Sequence, residues 1–167
     1  MIANLFWTAI FLLPISVYCY RFISLTTIYL LAGCCLVPMF LPNAVLDKIQ
    51  LSNNPTFYKK LGVKYVNTVA QNGSFINNML KKKYADFKVV SPAKASVKRH
   101  YYQTYFFEKF HLSLFLFFTI VIVFACVHEQ FYWAVILLIC NVLYNVYPNL
   151  LQQYIRVRLR FAVTGKK

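Results

Sequence analysis

Asn141 to Arg160 read NVLYNVYPNLLQQYIRVRLR. Within this stretch Asn141, Asn145, Asn149, Gln152 and Arg156 recur at spacings of four, four, three and four. Such spacings place side chains on one face of a helix. Pro148 interrupts, and Arg156, Arg158 and Arg160 then alternate with apolar residues. Amides on an otherwise apolar helix turn toward the protein interior rather than toward lipid. The stretch therefore reads as the end of a membrane span packed against other helices. Interhelical hydrogen bonding accounts for Asn141 and Asn145. It leaves open why the stripe continues into Tyr154, Arg156 and Arg158. Guanidinium groups at an interface suit recognition of phosphate or carboxylate. Anchoring at a cytoplasmic surface accounts equally well for Arg160, Lys166 and Lys167.

The composition agrees with a membrane setting. Of 167 residues, 60% are hydrophobic, 19% aromatic and only 13% charged, against about a quarter charged in an ordinary soluble domain. The formal charge is nevertheless +14. An apolar and strongly basic chain is expected to be a membrane protein with one wet, cationic face. Cys19, Cys34, Cys35, Cys126 and Cys140 all fall in apolar runs without metal-ligand spacing, so they read as reduced packing residues and no metal is expected. The first apolar run lacks a basic leader and a small-residue cleavage site, and reads as a retained span.

Four apolar segments are predicted to cross the bilayer, each near the ~20 residues a helix needs. They form a first hairpin within residues 1–46 and a second within 110–151, separated by a basic segment, 47–109, and followed by a basic tail, 152–167. The fold class expected is all-α, a polytopic four-helix transmembrane bundle with a basic cytoplasmic loop. Pro14, Pro38 and Pro42 are expected to kink the first pair, and His128-Glu129-Gln130 to form a tight turn in the second. The lysines, Lys81-Lys82-Lys83 among them, concentrate in the loop. The positive-inside rule then puts the loop and both termini in the cytoplasm. Inside the loop, Asn53 or Asn54 caps a short helix with Pro55 in its first turn and Gly62 as its stop. Gln71–Ser74 is a predicted turn. Ser91 and Pro92 open a long helix that runs into the third span.

On that long helix His100, Thr104, Glu108 and His111 share a face. A carboxylate beside an imidazole can fix its tautomer and stabilise the imidazolium, which makes a general base for activating a hydroxyl. The bland alternative pairs Glu108 with Lys109 or Arg99 and leaves His111 as an interfacial ring. Should the two polar stripes face each other, the bundle encloses a polar cleft open to the cytoplasm.

NVYPNLLQQYIRVRLR resembles the C-terminal signature of the small membrane acyltransferases related to the staphylococcal glycosyl-diaponeurosporenoate acyltransferase. Asn145, Pro148, Gln152, Tyr154, Arg156, Arg158 and Leu159 fall in step with that signature. Glu108 and His111 match its Glu-x-x-His at the start of the third span, and Phe57–Val63, FYKKLGV, resembles its loop motif. Gln153 and Ile155 stand where the signature has Arg and Asn, and Leu112 stands where it has Trp. The resemblance implies transfer of a fatty acyl group to a hydroxyl of a lipid or glycolipid, from acyl-CoA or another acyl donor, with no bound cofactor. It implies His111 and Glu108 as catalytic residues. Asn145, Gln152, Tyr154, Arg156 and Arg158 are then substrate-binding, with Asn145 and Gln152 donating to the developing oxyanion. The partners implied are membrane lipids and the acceptor lipid, at the cytoplasmic membrane.

Two other readings fit the residues. One is a non-catalytic accessory subunit of envelope-lipid metabolism, with lysines on anionic headgroups. The other is a membrane methyltransferase. A channel lacks its repeated intramembrane charge, and no nucleic-acid partner is expected in the absence of a recognisable module. Oligomeric state is not legible.

Overall fold

A computed structural model describes residues 2–63, 65 and 94–164. The predicted turn at Gln71–Ser74, the Lys81–Lys83 run and the Ser91–Pro92 helix start lie outside the described residues. Among the described residues every regular element is helical. The helices are α1 (Ile2–Phe22), α2 (Leu25–Cys35), α3 (Asn43–Lys48), α4 (Pro55–Lys60), α5 (Lys94–Val127), α6 (Phe131–Asn141) and α7 (Tyr147–Thr164). A 3-10 turn, Val37–Phe40, follows α2, and a π turn, Val142–Val146, joins α6 to α7. The chain divides into two compact units. One draws on residues 43–108 and 149–167, the other on 2–42 and 109–148.

Two helical stretches are long and apolar enough to cross a membrane, Ala95–Val127 and Phe131–Arg160. The expected first pair falls on α1, Ile2–Phe22, and on the apolar stretch Leu25–Phe40. Prolines divide the second of these runs. Pro38 sits inside the 3-10 turn, and Pro42 precedes α3. A residue before proline is driven out of the α region, so the second apolar run divides, and Leu46 belongs to the separate helix α3.

The apolar unit is built from α1, the C-terminal part of α5, and α6. Its core is Ile15, Tyr18, Cys19, Ile23, Phe118, Val121, Ala125, Ala134, Leu137 and Cys140. Ala125 and Ala134 are small enough to let helix backbones approach, as membrane helix packing prefers. Ser24 caps α2 by accepting from Thr27 N–H at 3.3 Å. The predicted tight turn after α5 is a Schellman closure: Glu129 takes φ 59°, and Gln130 N–H reaches back to the Ala125 carbonyl at 2.9 Å. Trp133 packs on Tyr18 and Phe22, with ring centroids 5.7 and 6.3 Å away.

The polar unit holds α3, α4, the start of α5 and most of α7. Tyr58, Val63, Leu151, Tyr154 and Val157 form its small core. Asn54 is the cap of α4, accepting from Thr56 N–H at 2.9 Å, with Pro55 in the first turn. Gly62 then stops the helix at φ +80°. Residues after Pro148 continue the helix as α7, and the helical spacing read through Arg156 extends to Thr164. The π turn makes this possible. Tyr147 N–H bonds to the Val142 carbonyl, five residues back. This extra residue in the turn reseats the helix just before the proline, whose missing N–H would otherwise break the ladder.

A Cβ at position 62 would have room, its nearest neighbour being Tyr65 Cδ2 at 3.9 Å. Gly62→Ala is therefore expected to cost only the left-handed backbone penalty, about 1–2 kcal/mol, read as a lowered thermal midpoint in detergent. An unchanged midpoint would show that the α4 stop tolerates L residues.

Candidate active site

The polar unit is organised around Arg156, which is completely buried. Its guanidinium pairs with Glu108 through Nη1. Its Nε donates to Gln50 Oε1 at 3.2 Å and lies 3.5 Å from Asp47 Oδ1. The guanidinium also sits over the Tyr105 ring, 4.5 Å from its centroid. Tyr105 in turn donates its hydroxyl to Asp47 at 2.9 Å, and Arg160 lies 3.7 Å from the same carboxylate. Burying a charge is expensive unless it is paired and hydrogen-bonded. Two acids, an amide and an aromatic face supply that compensation here.

Glu108 is buried as well, and both its oxygens are used. Oε2 meets Arg156, and Oε1 accepts from Gln153 Nε2 at 2.8 Å. Gln153 is held from its other end. Its Oε1 accepts from Leu51 N–H at 3.2 Å and lies 3.1 Å from the Tyr58 hydroxyl. That hydroxyl is also 2.9 Å from the Ser52 carbonyl. Burial pushes the Tyr58 phenol above its usual pKa, which keeps it protonated and a donor. The network thus ties the start of α5 to α7 and to the segment between α3 and α4.

In the apolar unit the amide stripe forms a second polar group. Asn141 Nδ2 reaches the Phe115 carbonyl at 3.4 Å and Thr119 Oγ1 at 3.3 Å. Asn145, fully buried, donates from Nδ2 to Asn141 Oδ1 at 2.8 Å. His111 lies edge-on to the Tyr144 ring, centroids 5.6 Å apart. The Asn145 side chain and the Tyr144 backbone are its polar neighbours. His111 Nδ1 and Asn145 Oδ1 are both buried, and neither has a well-formed hydrogen bond. Tyr144 is fixed by its hydroxyl, 2.9 Å from Thr8 Oγ1.

The predicted site residues therefore keep two kinds of company. Glu108 and Arg156 come together, with Gln153 beside them; His111 and Asn145 come together, with Tyr144. Glu108 and His111, three residues apart on α5, were expected to act as a dyad. The carboxylate is instead committed to Arg156 and Gln153. Tyr154 is buried against Tyr58, centroids 6.4 Å apart. Arg158 is exposed, its guanidinium 5.5 Å from the Tyr154 ring centroid. Gln152 is half-buried on α7. Sequence reasoning missed Asp47, Gln50, Tyr105 and Gln153. A signal existed for Asp47: the chain has 4 acids against 18 Lys and Arg, so each acid is a candidate partner for a buried cation.

A family model described as glycosyl-4,4'-diaponeurosporenoate acyltransferase matches residues 42–164, about three quarters of the chain. No curated protein and no solved structure matches it.

Removing one partner of a buried ion pair leaves the other uncompensated, at a typical cost of about 3–5 kcal/mol. Glu108→Ala should therefore destabilise the protein strongly in detergent melts. Glu108→Leu combined with Arg156→Met should recover much of the loss. A double variant no better than the single one would show that the pair is not the unit of stability.

Proposed function

The chain belongs to the glycosyl-4,4'-diaponeurosporenoate acyltransferase family, and from that membership we propose that it transfers a fatty acyl group to a hydroxyl of a glycosylated lipid at the cytoplasmic face of the membrane. The observation that carries the reading to particular residues is His111. An imidazole with one buried, unsatisfied nitrogen sits beside a fully buried amide whose carbonyl oxygen is also unsatisfied. Apolar and aromatic side chains make up most of that unit. Unsatisfied polar atoms in such surroundings are costly and are kept where chemistry uses them.

In the mechanism we propose, the acceptor hydroxyl lies against His111. The imidazole takes its proton as the oxygen attacks the carbonyl carbon of the acyl donor. With acyl-CoA as donor, the tetrahedral intermediate collapses by breaking the carbon–sulfur bond. The imidazolium returns the proton to the departing thiolate, so the products are an ester and a free thiol. No bound cofactor is needed. Arg158, exposed on α7 and stacked on Tyr154, suits an anionic group on the donor. Arg156 does not, since Glu108 and Asp47 already balance it; its role here is to hold the fold. The two apolar helices and the +14 charge support a bilayer setting with basic segments on the cytoplasmic side.

A second reading, a non-catalytic membrane subunit, is favoured by one feature: Glu108 is fully engaged elsewhere and does not serve the imidazole. The two readings separate in one experiment. Purified chain in nanodiscs is given acyl-CoA and a glycolipid acceptor, and ester formation is followed by mass spectrometry. Wild type should form the ester, and His111→Ala should lose about 100-fold or more, the lower end of what a general base contributes. Equal rates would remove His111 from the reaction, and no ester with any glycolipid would favour the subunit.

A further inference from the structure

We propose that Asn145 is the positioning residue for His111, accepting the imidazole Nδ1–H so that Nε2 faces the acceptor hydroxyl. This rests on reading His111 as the base. The dyad would then be His–Asn, built from α5 and the π turn, in place of the His–Glu pair expected from spacing along α5.

An asparagine amide has a donor end and an acceptor end, and which end points where must follow from its partners. The chain of contacts begins at a group without ambiguity, the backbone carbonyl of Phe115, which only accepts. Asn141 meets it with Nδ2 at 3.4 Å. Asn141 therefore presents Oδ1 to its other neighbour. Asn145 meets that oxygen with its own Nδ2, at 2.8 Å. Asn145 is thus left presenting Oδ1, an acceptor, and that atom is buried without a partner. The polar side chain beside it is His111, whose buried nitrogen, Nδ1, is equally without a partner. A buried acceptor next to a buried ring nitrogen is satisfied when that nitrogen carries the proton. Catalytic hydrogen bonds are often long in a free enzyme and tighten when substrate binds.

The local helix geometry supports the same polarity. The π turn spans Val142–Val146 and so contains both Tyr144 and Asn145. Pro148 lacks the N–H that would bond the carbonyl four residues back, which is that of Tyr144. The Tyr144 backbone is the imidazole's other polar neighbour, and a carbonyl can only accept. Asn145 Oδ1 therefore favours a protonated Nδ1 and leaves Nε2 as the basic nitrogen. Asn145 commits its donor, Nδ2, to Asn141 Oδ1, so the oxyanion-donor role expected from the sequence gives way to a positioning one.

Nitrogen-15 spectra of histidine-labelled chain in nanodiscs test this without reference to activity. The chain has only 3 histidines, and His111→Gln identifies the signal. At a pH where the ring is neutral, wild-type His111 should show a protonated Nδ1 and an unprotonated Nε2. Asn145→Ala should shift it toward the Nε2–H form that free imidazoles prefer. Asn145→Asp, which keeps an acceptor in place, should hold the wild-type tautomer. In acyl transfer Asn145→Ala should lower kcat about 10–100-fold, the range for residues that orient a histidine ligand. KM should change little, and Asp should restore part of the loss. A wild-type Nε2–H tautomer would overturn the proposal. So would an Asn145→Ala spectrum identical to wild type, which would assign the role to the Tyr144 carbonyl alone. A chain with the expected tautomer but no acyl transfer would sink the proposed reaction while leaving the His–Asn pairing intact.

Discussion

The buried ion pair between Arg156 and Glu108 is the constraint on which the polar unit depends. A fully buried guanidinium cannot be left alone, and the chain surrounds it with Glu108, Asp47, Gln50 and the Tyr105 ring. Such a cluster adds little net stability over an apolar replacement, because desolvation offsets most of the attraction. Its effect is on geometry. Glu108 uses both oxygens, and Gln153 is gripped at both ends of its amide. The start of α5 and the middle of α7 therefore have one register in which Glu108, Gln153 and the Arg156 Nη1 and Nε groups meet their partners. Any slip along either helix strands a charge.

The apolar unit follows a different logic. Its core mixes aliphatic, small and aromatic side chains. Against that background the amides stand out as polar groups with a direction. The Phe115 carbonyl sets the orientation of Asn141, and Asn141 sets that of Asn145. The π turn and Pro148 add a backbone acceptor at Tyr144. Bulges of this kind recur at functional positions because they turn backbone and side-chain groups that a regular helix would hide.

Much of this was legible in the sequence, and the parts that were not have identifiable physical causes. The amide periodicity from Asn141 to Arg156 marked the inward face correctly, and Asn54, Pro55 and Gly62 marked the limits of α4. The Gln130 turn also followed from its residues. The π turn that carries the helix through Pro148 did not, because it has no sequence signature. The pairing of Glu108 was misassigned for a related reason. Spacing along one helix reports which side chains share a face, but the partner of a buried acid is chosen by desolvation. The nearest adequate cation was Arg156, distant in sequence. Asp47 and Gln50 escaped notice because the second apolar run appeared to continue past Pro42, which placed them at its edge and not against an arginine. The family match, reached from the motifs at Phe57, Glu108 and Asn145, needed only the order of those motifs along the chain.

The central claim is that an imidazole held by an amide activates a lipid-borne hydroxyl. A structure of the protein with a glycolipid acceptor bound tests it most directly, through the distance from His111 Nε2 to the nearest sugar hydroxyl. The account predicts a separation within general-base reach, about 2.6–3.2 Å or one bridging water. A glycolipid whose sugar lies away from His111, with the imidazole facing acyl chains, would contradict it.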